Sequence, residues 1–256
     1  MKNKIERKED GNKQKVEKYI ERYLPDYIKD KKYQSFSYKA LKKMKTNLVD
    51  NVQGLENIPK GEKLFIAEHD EGEDIWKLLV ALDEKIHIVA SETIHQKDKL
   101  LFGAKGIIME WLEMLPIRET FSNVEIQNKE EIIGKAPFLE RAAHRRILNR
   151  PRNQEMGNLK HLRSIVAVLL AGQSVELFVD GPWTRLGDDK RMAYAGYGMI
   201  AKMYEKLTGR KLNIIPVSFQ GTTVIIGNSF ELSGEESRET IKSIAKNKID
   251  NLRNKK

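Results

Sequence analysis

The chain has 256 residues, of which 40% are hydrophobic and 32% charged, and its formal net charge is +9. This composition fits a globular protein with a substantial core and excludes wholesale disorder. The absence of cysteine excludes disulfides, thiolate metal sites and a cysteine nucleophile. No secretory signal is recognisable in the first ten residues, MKNKIERKED, and no apolar run approaches the roughly 18 residues that span a bilayer.

The positive charge is concentrated at the N-terminus. Residues 1–45 hold 15 Lys and Arg against 7 Asp and Glu, whereas the rest of the chain is nearly neutral. Between residues 16 and 28 the apolar positions repeat with the period of a helix, which Pro25 should kink or split. These positions are Val16, Tyr19, Ile20, Tyr23, Leu24, Tyr27 and Ile28. An aromatic apolar stripe beside lysines is typical of a helix on a membrane surface, but also of a helix packed on its own domain. Residues 1–50 are therefore predicted to be a basic amphipathic helical arm.

Strands and helices alternate from residue 51 onward. Strands are predicted at 63–67, 85–91, 174–181, 212–219 and 222–227, and helices at 74–82, 97–114, 159–171 and 191–207. Gly172 and Gly209 should end two of these helices, and Ser233 with Glu236 forms a possible capping box for a terminal helix. Pro216 interrupts a strand and predicts an edge or a bulge.

The predicted fold class is α/β, with a central mixed, mostly parallel sheet flanked by helices, plus the N-terminal amphipathic helices. Residues 51–232 should form this single domain, and residues 233–256 a C-terminal helix.

The stretch IAEHDEGEDIW, residues 66–76, places one histidine and several carboxylates at a strand-to-helix turn. Five residues apart in one helix, His69 and Asp74 would lie about 140° apart. On a turn they can meet, so that the carboxylate orients the imidazole and its other nitrogen takes a proton from a hydroxyl. Such spacing arises often by chance, and a solvated acidic loop explains it equally well.

Two further segments carry polar residues at predicted strand ends, and a third contains a proline within a predicted strand. LFVDGPWTR ends in the turn Asp180-Gly181 with Arg185 beyond it, LPIRE carries Arg118, and IIPVSF contains the strand proline. The carboxyl ends of strands are where α/β proteins place ligand contacts. Each segment alone favours a structural explanation, such as an ordinary turn or a surface ion pair, over a functional one.

In this order the segments resemble the motifs of the glycerophospholipid acyltransferase family, which acylates glycerol-3-phosphate and 1-acylglycerol-3-phosphate. VQGLENIPKGEKLFIAEHDEGED is similar to the entry into the first motif, histidine, four residues, aspartate; LPIRE is similar to the second motif. LFVDGPWTR is similar to the third, normally Phe-Pro-Glu-Gly-Thr-Arg, and IIPVSFQG to the fourth. The resemblance covers residues 52–227.

The resemblance implies an acyltransferase that moves a fatty acyl group from acyl-CoA or an acyl carrier protein to a lysophospholipid hydroxyl such as that of lysophosphatidic acid. His69 would be the base and Asp74 its orienting group. Arg118 and Arg185 would hold the acceptor phosphate, and the Asp180-Gly181 turn would bind its hydroxyl. It implies no cofactor and no metal.

Four positions depart from the family pattern. Glu68 replaces the usual asparagine, Val179 and Asp180 replace proline and glutamate, and Arg185 lies two positions late. These departures leave open a second hypothesis, a protein on the same fold that binds lipid or acyl carrier protein without turnover.

The resemblance also favours membrane attachment through the basic arm. The expected location is the cytoplasm, peripheral on the inner face of the cell membrane, because each lysine near an anionic leaflet contributes about 1 kcal/mol. A sequence pI of 9.4 suggests nucleic acid as a partner. The nearly neutral body and the absence of a recognised motif argue against that partner.

Overall fold

The computed structural model describes residues 2–29, 43, 46–68, 74–91, 114–117, 155–179 and 196–254. The helices in these ranges are α1 (Lys2–Tyr23), α2 (Asp26–Lys29), α3 (Asp74–Ala81), α4 (Glu155–Leu170), α5 (Gly196–Thr208) and α6 (Arg238–Arg253). The strands are β1 (Asn51–Gln53), β2 (Lys63–Ala67), β3 (Ile86–Ser91), β4 (Leu115–Ile117), β5 (Ser174–Phe178), β6 (Asn213–Gln220) and β7 (Thr223–Ile226). Short 3-10 helices occupy Thr46–Leu48 and Leu55–Asn57.

The strands form one mixed sheet in the order β1-β7-β6-β2-β5-β3-β4. Strands β6, β2, β5, β3 and β4 run parallel to one another, whereas β7 is antiparallel to β6 and carries β1 parallel to itself. The central strand β2 is buried along its whole length, as expected for a parallel strand covered on both faces. The predicted fold class, a mostly parallel mixed sheet flanked by helices, is confirmed.

One face of the sheet is covered by α4, α5 and α6. Alternate residues of the central strands, including Leu64, Ile66 and Val175, pack there with apolar residues of these helices in one core cluster. The helices supply Ile165, Val166 and Leu169 from α4, Tyr197, Ile200 and Tyr204 from α5, and Ile241, Ala245 and Ile249 from α6. This face therefore holds the larger core.

The opposite face packs against α3. Leu78 of α3 and Leu82 just beyond it join Phe65 and Ala67 of β2 and Val217 of β6 in a second core cluster. Because successive strand residues point to opposite faces, the two clusters divide β2 cleanly between them. The connection that leaves β2 thus leads to one face, and α5, which follows β5, lies on the other.

The N-terminal helices pack on the larger core. Pro25 separates α1 from α2, as predicted, and Ile28 is buried with Tyr19 and Leu24 packed beside it. The Tyr23 ring lies 4.6 Å from that of Tyr19, and the Arg163 guanidinium of α4 is 5.2 Å from its centroid. The apolar stripe of this segment therefore faces the protein's own domain, which was one of the two readings of the sequence.

Most element bounds agree with the sequence predictions. Helix α4 ends before Gly172 and α5 before Gly209, and both glycines have positive φ, which favours glycine over residues with a side chain. The helix predicted at 97–114 lies almost wholly outside the described residues. Among the helices of the described part, none is long and apolar enough to cross a membrane.

Two local predictions were wrong. Ser233 and Glu236 do bond, but in a turn that precedes α6, which is capped instead by Ser237 through the backbone N–H of Thr240. Pro216 lies in β6, between β2 and β7, and makes neither an edge nor a bulge. Its carbonyl accepts from Gly227, beyond the last residue of β7, so the missing N–H of Pro216 faces the end of that strand.

Candidate functional site

The candidate site lies at the carboxyl edge of the parallel strands. The last described residues at this edge are Glu68 after β2, Val179 after β5 and Ile117 at the end of β4. In the chain they are followed directly by His69, Asp180 and Arg118. These three residues, and Gly181 and Arg185, lie outside the described residues. Of the predicted site residues, Asp74 alone is described.

The strand order singles out the carboxyl ends of β2 and β5, where the connections that follow the two strands diverge. These strands are neighbours, with Ile66 opposite Leu177 and Ala67 opposite Phe178. The chain leaves β2 toward α3 on one face and reaches α5 on the other face after β5. Ligands in open α/β sheets bind outside the carboxyl ends of such strands, where the connections diverge. His69 and Asp180 follow these two strands, β2 and β5, in the chain.

Asp74 is the first residue of α3 and is 1% exposed. A carboxylate is favoured at this position by the partial positive charge of the helix N-terminus. Its Oδ1 accepts from the Lys77 Nζ at 2.8 Å, one turn along the helix. Lys77 is itself 3% exposed, and its Nζ lies 5.9 Å from the centroid of the Phe219 ring on β6. The predicted orienting carboxylate is therefore half of a buried ion pair.

A second carboxyl group, that of Glu176, faces the same side of the sheet as α3. Glu176 is fully buried on β5, opposite Phe65 of β2, and neither carboxyl oxygen has a hydrogen-bond partner among the described residues. Burial, and next the negative charge of Asp74, raise the pKa of Glu176 well above its usual range. Two carboxyl groups and one ammonium group thus share the interior beneath the candidate site.

Glu68, the residue before His69, is anchored from the far end of the chain. Its side chain is 3% exposed, and its Oε2 pairs with the Arg253 guanidinium at the end of α6. This ion pair fixes the backbone where β2 ends. One of the unusual acidic residues at the turn therefore has a structural partner; Asp70, Glu71 and Glu73 lie outside the described residues.

Removing Arg253 should destabilise the protein through Glu68. Arg253→Gln leaves a buried carboxylate without this cation, and we expect the free energy of unfolding to fall by about 1–3 kcal/mol in urea titrations. Arg238→Gln is the matched control, because Arg238 is exposed at the other end of the same helix. Equal effects of the two variants would show that the Glu68 ion pair contributes nothing.

Three residues of this region escaped the sequence reasoning. Lys77 carried a local signal, since it lies one helical turn from Asp74. Glu176 is the single charged residue in the buried segment SVELF. Its charge is unusual for such a segment, but no sequence motif assigns it a role. Arg253 carried none, because its partner Glu68 is distant in sequence. Groups of three or more His, Cys, Asp or Glu that would suit a metal ion are not found within the described ranges.

The fold and site define an α/β protein with its candidate centre at the divergence of β2 and β5. A solved structure with similarity to the chain is the 1-acyl-sn-glycerophosphate (LPA) acyltransferase PlsC from Thermotoga maritima, with 18% sequence identity and a TM-score of 0.48. The match covers 85% of this chain and 81% of that one. No family model matches the chain, and no curated protein matches it.

Proposed function

We propose that the protein is an O-acyltransferase that moves a fatty acyl group from a thioester to a hydroxyl of a glycerophospholipid precursor. The ordered motifs of the sequence support this reaction class. The single structural observation that carries it is Asp74, a buried carboxylate at the start of α3, on the connection that leaves β2 through His69.

The proposed reaction needs one base and no covalent enzyme intermediate. His69 takes the proton of the acceptor hydroxyl as its oxygen attacks the thioester carbonyl, and a tetrahedral intermediate forms. Collapse of that intermediate breaks the carbon–sulfur bond, and the leaving thiolate takes the proton back from the imidazolium. Asp74 would hold the imidazole in the required tautomer and stabilise its charged form.

Acceptor recognition is assigned to the residues that follow β4 and β5. Arg118 and Arg185 would bind the phosphate of a lysophospholipid, since guanidinium groups bind phosphate oxygens in pairs of hydrogen bonds. The Asp180-Gly181 turn would accept a hydrogen bond from the acceptor hydroxyl. The donor would be acyl-CoA or an acyl carrier protein, and no cofactor takes part.

The test is acceptor-dependent release of free thiol. The full-length protein is incubated with an acyl-CoA or an acyl carrier protein, each with lysophosphatidic acid, with glycerol-3-phosphate, or without acceptor. We expect thiol release and a new ester product only when an acceptor is present. Binding of lysophospholipid or acyl carrier protein without thiol release from any pair would favour the alternative, a binding protein without turnover.

We propose that the protein reaches its lipid from the cytoplasm, at the inner face of the cell membrane. Because the apolar stripe of α1 packs on the domain, attachment would rest on charge. Lys13, Lys15 and Lys18 are exposed along α1. Lysines near an anionic lipid surface contribute about 1 kcal/mol each, so a few of them give reversible binding.

Neutralising two of these lysines should weaken attachment measurably. For Lys15→Gln with Lys18→Gln, about 2 kcal/mol is lost, and we expect partition onto anionic vesicles to fall roughly 30-fold in co-sedimentation. Lys246→Gln with Lys248→Gln removes the same charge from exposed positions on α6. Equal weakening of vesicle binding by the two double variants would contradict the proposal that α1 carries the membrane-binding surface.

A further inference from the structure

Glu176 destabilises the fold, and no described hydrogen bond of its side chain offsets this. It is 0% exposed, and its carboxyl oxygens have no hydrogen-bond partner within the described residues. Its neighbours across the sheet, Phe65 on β2 and Ile88 on β3, are apolar. A buried polar group without a partner is unfavourable, and an apolar side chain would suit this position better. A role outside folding would explain why a carboxyl group stands here.

The position of Glu176 connects it to Asp74. Alternation along β5 directs Val175 to the larger core, whereas Glu176 and Phe178 face α3. Asp74 is buried at the start of that helix, and its negative charge is, after burial, the second cause of the raised pKa of Glu176. The two carboxyl groups therefore belong to one buried cluster, at the level where β2 and β5 approach the candidate site.

Among the described residues, few charges face this cluster. From α3 come Asp74 and Lys77, which pair with each other at 2.8 Å. From β2, toward the amino end of the strand, comes Lys63, which pairs with Glu84 from the segment after α3 at 2.6 Å. The described residues of β3 and β6 that share this face carry no charge; they are apolar apart from Asn213, which lies opposite Lys63 at the amino end of β6. Of these described cations, Lys77 contacts the cluster directly, and its ammonium group binds the carboxylate of Asp74.

We propose that Glu176 is a positioning residue that stays protonated in the folded protein, so that it places no second negative charge against the Asp74–Lys77 ion pair. A fully buried carboxyl group without a hydrogen-bond partner among the described residues is favoured in its protonated form, and the negative charge of Asp74 favours that form further. The proton on Glu176 leaves the cluster neutral. Ionisation of Glu176 would place a second anion against Asp74 and displace the carboxylate from the geometry it needs.

This inference deepens the proposed function, on which its catalytic part rests. Asp74 is the group assigned to orient the base, so a change in its position reaches the reaction through His69. Glu176 touches neither substrate nor base in this scheme. Its proton keeps a second negative charge away from Asp74, and the loss of that proton sets the alkaline limit of the reaction.

The first test measures stability against pH and does not use the activity. A carboxyl group that stays protonated when folded and ionises when unfolded makes the folded protein bind more protons. Stability then falls as pH rises from the ordinary carboxyl range toward the raised pKa of Glu176. Over that window we expect the unfolding constant of the wild type to rise about tenfold more per pH unit than that of Glu176→Gln. Glu176→Leu, which also lacks the proton, should match Glu176→Gln in this slope.

The second test measures the ratio of the acyl-transfer rate at alkaline pH to the rate at neutral pH. In the wild type we expect the ratio to fall below one, and the rate to decline with pH as a single ionisation. In Glu176→Gln and Glu176→Leu we expect no such decline. Parallel stability slopes in wild type and Glu176→Gln would overturn the proposal outright. Different slopes with identical rate ratios would overturn the positioning role. Absence of acyl transfer in the wild type would overturn the proposed function, while the stability slopes still decide where the proton lies.

Discussion

Replacing His69 by alanine should lower the acceptor-dependent release of thiol by a factor of about 10²–10⁴. This is the contribution typical of a positioned general base, since without it the acceptor hydroxyl must lose its proton to water. The effect should fall on kcat, because the imidazole acts on the reacting proton and holds neither the acyl chain nor the phosphate. Steady-state rates with a saturating donor and varied lysophosphatidic acid measure it.

A second histidine provides the control for this substitution. His161 lies on α4, on the face of the sheet opposite α3, and His161→Ala should retain the wild-type rate. The unfolding midpoint of His69→Ala is measured alongside, so that loss of activity is separated from loss of fold. A full rate in His69→Ala would remove the proposed base and with it the assigned role of Asp74.

Replacing Lys77 by methionine should lower the free energy of unfolding by about 3–5 kcal/mol. The substitution keeps the length of the side chain and removes the cation, so that Asp74 is left as a buried charge beside the carboxyl group of Glu176. Breaking a buried ion pair from one side has an effect of this size because the remaining charge is uncompensated. Chemical denaturation at neutral pH measures it.

Two further variants make that result specific. Asp74→Asn combined with Lys77→Met removes both charges, and we expect the double variant to be more stable than Lys77→Met alone. Lys242→Met breaks an ion pair with the exposed Glu239 one turn away, where a loss of at most about 1 kcal/mol is expected. If Lys77→Met costs no more than Lys242→Met, the buried pair is not the determinant we describe.

Local pattern was enough to predict the central elements. Strand β2 runs from Lys63 to Ala67 as predicted, and α3 begins at Asp74 and ends at Ala81, one residue early. Both are short elements whose apolar period and flanking turn residues agree, so few alternatives compete. The order of the strands could not be obtained this way, because it depends on pairings between segments far apart in the chain.

The candidate site divides in the same manner. Its motif residues were predicted from their order in the sequence, and the one that is described, Asp74, is buried at the start of its helix. The ion pair of Glu68 with Arg253 and the approach of Glu176 to Asp74 depend on how distant elements pack. The apolar stripe of the N-terminal helices was compatible with lipid or with protein, and only the packing of Tyr19, Leu24 and Ile28 on the core decides between them.

The position of β2 at the centre of the sheet also has a consequence for synthesis. Its Leu64 pairs with Val175 on one side and with Ile214 on the other, so neither neighbour exists when β2 leaves the ribosome. Long-range pairing of this kind slows folding, and an apolar strand waiting for partners is prone to aggregate. A nascent chain that stops before β5 should therefore depend on chaperones, and fragments that lack β5 and β6 should not form this sheet.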